Sequence, residues 1–176
     1  MGTDSVKLFN KTLADHILLM DRPELTQFLE TNIDVLKQKE FPLSIAPFDL
    51  EAAGDSIPQA VEQLLSEQSF TSFQSSVVQD FAFGDDEIYL DYWGCYAAVF
   101  GESPQGSISN LDLFPAEEEE TFVLLLPEHV NQMIKSLNEH ADDLTVMDGG
   151  QIEKLESWKN FCATNPGIMF AYLFDF

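Results

Sequence analysis

Basic residues are what this chain has least of. Only 8 of its 176 residues are Lys or Arg against 31 Asp or Glu, a formal net charge of −23. Nucleic acids and anionic membrane surfaces are gripped chiefly through Lys and Arg, so neither is an expected partner. The scarcity is also uneven. Between Lys39 and Lys135 there is no Lys or Arg in 95 residues, while 18 Asp and Glu occur there. Carboxylates in such a block must be solvated, bind cations or face a basic partner.

Other absences narrow the class further. No stretch approaches the roughly 20 apolar residues that span a bilayer; Phe122 to Leu126 and Ile168 to Phe174 are among the longest apolar runs. The N-terminus lacks a basic region followed by an apolar one, so no secretory signal is expected and a soluble, cytoplasmic protein is. The 2 cysteines, Cys95 and Cys162, form no CxxC, and two reduced thiols are expected rather than a disulfide.

Catalytic signatures are missing as well. There is no Gly-x-Ser-x-Gly elbow, Walker loop, dinucleotide glycine pattern or HExxH. Gly54-Asp55-Ser56-Ile57 resembles the nucleophile block of the GDSL-type esterases, but the Asp-x-x-His partner of that family is absent. Leucine stands three residues before each of His16, His129 and His140. Ser56 is therefore read as a helix cap. Asp85-Asp86-Glu87 with Asp91 lacks the order of a calcium loop. Glu139, His140, Asp142 and Asp143 read as a helix surface, and neither cysteine has an electropositive context. No metal or cofactor is expected.

What the chain does have is a core. Hydrophobic residues make up 45% of it, with 15 Phe, which excludes disorder by low hydrophobicity. The length fits one domain, residues 1–176, with a helical part over 5–80, a strand-rich acidic middle over 85–126 and a helix–helix–strand part over 127–176. Val6, Phe9, Leu13, Ile17 and Met20 recur at helical steps and predict a first helix. Asp21, Pro23 and Glu24 then mark a restart with a capping box, and Leu25 to Leu36 supply a second amphipathic face, completing a helical hairpin. Phe41 to Pro58 is proline-rich and reads as an irregular connection. A third helix is expected from Ser56 through Leu65. Phe70 to Phe83 fits a helix or a strand.

Further on, Gly84 to Glu87 reads as a turn, followed by a strand over Ile88–Tyr92 and strand-like composition over Cys95–Phe100. A polar loop is expected over Gly101–Pro115, extended by the four glutamates at 117–120. Thr121 to Leu126, apolar on both faces, predicts an interior strand. A helix opens at Pro127, another follows over Ile152–Cys162, and Pro166-Gly167 precedes a last apolar strand. The expected class is α+β, with helices packed on a mixed or antiparallel sheet of about four strands. From Leu126-Pro127-Glu128-His129-Val130 through Leu155 to that last strand, the order of elements resembles the YfbM-type family of bacterial proteins. The likeness spans under a third of the chain, rests on no motif and implies no function, so it is set aside.

Asp85-Asp86-Glu87-Ile88-Tyr89-Leu90-Asp91-Tyr92-Trp93 is the most informative stretch. If Ile88 and Leu90 face the core, Tyr89, Asp91 and Trp93 share the other face and combine stiff aromatic anchors with carboxylates. Aromatic residues dominate binding hot spots, and the acids would steer a basic protein. The expected partner-binding residues are accordingly Asp85, Asp86, Glu87, Tyr89, Asp91 and Trp93, on a bacterial inhibitor- or immunity-type protein. A helix over this face would make the aromatics core instead. The alternative function is a metal-assisted hydrolase using carboxylates with His129 or His140. Whole-surface adaptation to high salt is opposed by the near-balanced first 39 residues, which hold six acids and five bases.

Overall fold

A computed structural model describes residues 4–32, 34, 56–90, 120–139 and 150–175. Its elements in order are β1 (Asp4–Asn10), α1 (Lys11–Leu18), α2 (Arg22–Thr31), α3 (Ile57–Glu67), α4 (Phe70–Ala82), β2 (Phe83–Leu90), β3 (Glu120–Leu125), α5 (Pro127–Glu139), α6 (Gly150–Thr164) and β4 (Ile168–Asp175). The class is α+β, with a four-stranded antiparallel sheet in the order β2-β1-β4-β3. Two compact units divide the chain: 1–11 with 83–176, and 12–82.

The first unit holds the sheet. β1 and β4 are its central strands, with Ser5 opposite Leu173 and Phe9 opposite Met169. One face carries Val6, Ile88, Leu90, Leu125, Phe170 and Tyr172, packed with Val130, Met133 and Leu137 of α5 and Leu155 of α6. Burial of large apolar side chains against two helices is the main force holding this layer together. The other face is dry along the centre too, since Phe9 and Ala171 are fully buried and Leu124 nearly so.

That double burial corrects two expectations. Residues 4–10 are a strand, not the start of a helix. Val6 and Phe9 lie three apart and mimic a helical step, yet each is buried because a central strand fills both faces and loses its alternation. Among the described residues, β3 in turn stands at an edge of the four-stranded sheet rather than inside it. Leu124 and Leu125 are buried on opposite faces, so its composition reports covered faces, not the number of paired neighbours.

The second unit is helical. The capping box of α2 forms in both directions: Glu24 N–H donates to Asp21 Oδ1 and Asp21 N–H to Glu24 Oε2, each at 2.9 Å. α3 begins after Ser56, which takes the N-cap position in extended backbone but makes no side-chain cap bond. The ambiguous segment resolves as helix to Ala82, with β2 starting at the next residue, so the Phe81–Phe83 triplet spans a junction. Gln74 of α4 is buried and donates through Nε2 to the carbonyls of Met20 at 2.8 Å and of Ile17 and Leu18 at 3.4 Å. It thereby satisfies acceptors that the end of α1 leaves open. The connection expected over 41–58 and the strand and loop expected over 95–115 lie largely or wholly outside the described residues.

Candidate functional site

β2 positions the acidic–aromatic stretch. The turn expected at Gly84–Glu87 is part of this strand. Lys7 pairs with Glu87 and Phe9 with Phe83, so one β1 residue, Leu8, faces three on β2. Gly and Asp disfavour regular strand, and a bulge is where a strand tolerates them and re-aims their side chains. From Glu87 to Leu90 the register with β1 is regular.

Within that regular part the expected alternation holds. Ile88 and Leu90 are buried at 2% and 3% exposure, whereas Tyr89 between them is 55% exposed. Tyr89 is thus a surface residue, not core. Glu87, two positions earlier, is half-buried and shares its face. The Glu87 carboxylate accepts a hydrogen bond from the Tyr89 hydroxyl, and with its charge it raises the tyrosine's pKa above the ordinary value. Asp85 and Asp86 are both exposed. Asp91 and Trp93 lie outside the described residues, so the site as described comprises Asp85, Asp86, Glu87 and Tyr89.

Asp86 departs from its neighbours. Its Oδ1 accepts from Lys154 Nζ of α6 at 2.7 Å and from the Glu87 N–H at 3.1 Å. The lysine's hydrogen bond is the main cause that lowers the Asp86 pKa; partial desolvation opposes it. Lys154 also sits 5.3 Å from the ring centroid of Trp158, which lies 6.1 Å from Phe170. One cation is therefore shared between a carboxylate and an indole face. Two carboxylates of the base-free block find cations elsewhere in the chain: Asp86 meets Lys154, and Glu62 lies 3.8 Å from Arg22. Both bases come from outside the block, through folding rather than proximity in sequence.

Three contributing residues were not legible in sequence. Lys154 meets Asp86 across 68 positions. Gln151, one turn earlier on α6, donates to the Tyr89 carbonyl at 3.5 Å. Lys7 is cross-strand from Glu87. Only the Lys154–Trp158 spacing of four, which places both on one helical face, carried a local signal.

Among the described residues, the features expected of an enzyme are not brought together. Among the described residues no group of three or more His, Cys, Asp or Glu side chains could hold a metal ion. His129 is buried at the third position of α5, and its Nδ1 accepts the Leu126 N–H at 3.1 Å, as the third residue of a capping box does. His140 is outside the described residues. Cys162 is a half-buried free thiol whose pKa is raised by burial, the reverse of nucleophile activation. An open groove between α2 and α3, lined by Arg22, Thr26, Glu30 and Glu62, contains neither His nor Cys, and the Thr26 hydroxyl donates to the Arg22 carbonyl. No described helix is long and apolar enough to cross a membrane.

Comparison with known proteins gives no match: no family model, curated protein or solved structure is significantly similar to the chain.

Proposed function

We propose that this chain is a binding protein that docks through β2 and its acidic surroundings on a basic protein, in the manner of an inhibitor or immunity protein. The observation that carries the reading is Tyr89: a large aromatic, 55% exposed on an outer strand, with Asp85 exposed and Glu87 beside it. A stiff, amphipathic anchor with a carboxylate beside it supplies contact area at low entropic cost, while the charge accelerates encounter. The block of 18 acids without a base supplies the long-range field.

The test is affinity capture from the source cell's lysate at low and high salt, using the wild-type chain, Tyr89→Ala and Glu87→Lys. The reading expects a basic protein, captured best at low salt and lost with either substitution. Salt-insensitive capture, or capture that both variants retain, overturns it.

A further inference from the structure

We infer that β2 takes a fifth strand, an extended segment of the partner bearing Lys or Arg, along the edge facing away from β1. This rests on the docking reading above and specifies how the partner is held. In the order β2-β1-β4-β3, β1 occupies one side of β2, and among the described residues no strand pairs with the other. A strand with one neighbour directs half of its backbone N–H and C=O groups outward, where water or another chain must satisfy them.

Sheet edges are commonly guarded by Lys, Pro, bulges or covering elements. β2, Phe-Gly-Asp-Asp-Glu-Ile-Tyr-Leu, has no Lys and no Pro, and the charges it does carry are acidic, which guard it against an acidic strand but not a basic one. Its irregularity is confined to the stretch before Glu87, leaving Glu87–Leu90 regular. Two described side chains touch this edge without adding a strand to it: Asp86 Oδ1 accepts the Glu87 N–H at 3.1 Å, and Gln151 Nε2 reaches the Tyr89 carbonyl at 3.5 Å, the limit of a hydrogen bond.

Charge selects the occupant. Glu87 and Tyr89 share one face of the regular segment, so alternate residues of an added strand lie beside a carboxylate and an aromatic ring. Lys or Arg fits both, through an ion pair and a cation–π contact. Of the two nearby bases, Lys154 is already engaged by Asp86, and Lys7 stands cross-strand from Glu87 on the β1 side, opposite to the side an added strand would take. A second copy of this chain pairing β2 with β2 would bring acidic strands together, and like charges facing one another oppose that arrangement.

The experiment is amide hydrogen exchange by NMR on the full chain, free and with two probes at low salt. One is an alternating lysine–valine octapeptide; the other is the same peptide N-methylated at every backbone nitrogen, equal in charge but without donors. In the free protein, outward amides within Glu87–Leu90 should exchange without strand-like protection, the Glu87 N–H being held only by the exposed Asp86 side chain. The unmodified peptide should slow them by about tenfold or more and bind about tenfold tighter than its methylated counterpart, the equivalent of one net hydrogen bond or so. Glu87→Lys should abolish the effect.

If these amides are already protected in the free chain, the edge is covered and strand addition is overturned, with docking by other contacts untouched. Equal binding of both peptides without protection likewise overturns strand addition and leaves charge-driven docking standing. If neither peptide binds, both readings fall.

Discussion

Glu87 and Tyr89 form the most specific pair on the exposed face of β2, and their coupling is directly measurable. Because the carboxylate accepts from the phenol and repels the phenolate, the tyrosine pKa is raised. The protonated form is the one favoured by the fold, so this contribution is complete below the ordinary tyrosine value of about 10 and is lost as pH rises through the native one. Glu87→Gln should bring Tyr89 back toward that ordinary value in a tyrosine NMR titration. An unchanged midpoint would show that the two side chains do not meet in solution. Asp86 has the opposite sign. Its lowered pKa makes the Lys154 contact fully stabilising above the ordinary aspartate value of about 3.9, with loss as the pH falls through the native value. Being exposed, the pair should contribute only about 0.2–1 kcal/mol, so Asp86→Asn should lower stability to urea slightly, with less effect at high salt.

At the scale of elements, two polar devices outside the acidic strand carry clear expectations. Asp21→Ala removes half of the reciprocal cap on α2 and should cost about 1 kcal/mol in denaturant unfolding. Gln74→Leu removes a buried donor from beneath the end of α1 and leaves the Met20 carbonyl unsatisfied, which should cost about 1–3 kcal/mol. The caps show what local sequence can specify. Asp21-Arg22-Pro23-Glu24 announces α2 because the bonds run between residues three apart, and α5 and α6 were readable from their apolar spacing for the same reason. β1 was not readable. Its identity depends on pairing with β2 and β4, each far along the chain, and double burial removes the alternation that marks a strand. The Gly84–Glu87 turn failed similarly, because a bulge uses the residues a turn uses. That Tyr89 lies on the face opposite Ile88 and Leu90 was readable from their period of two, whereas whether that face is covered was not, because covering depends on elements distant in sequence. That Lys154 neutralises Asp86 was not, being set wholly by how α6 lies on the sheet.

For the whole molecule, the net charge of −23 is a standing self-repulsion only partly relieved by ion pairs such as Lys154–Asp86 and Arg22–Glu62. Monovalent salt should therefore raise the melting temperature at neutral pH, steeply at low ionic strength and then levelling as the Debye length shrinks to about 10 Å near 0.1 M. A melting temperature that falls monotonically with salt would mean that attractive pairs outweigh the repulsion. The same salt should weaken capture of a basic partner. Stability and binding are thus expected to respond to ionic strength in opposite directions.

The middle of the sheet has a kinetic consequence. Ser5 lies opposite Leu173 and Phe9 opposite Met169, so the central pairing joins segments from far apart in the order of synthesis. β1 and β2 can meet as soon as both have left the ribosome, but β3 has no neighbour in this sheet until β4 arrives to bridge it to β1. Ala171 and Tyr172, fully buried in the finished fold, emerge among the last of the described residues. High contact order of this kind slows folding. During translation the apolar surfaces of β1 and β3 stay open until the bridging strand closes them, and in that interval the nascent chain depends most on its abundant like charge to keep from associating with its neighbours.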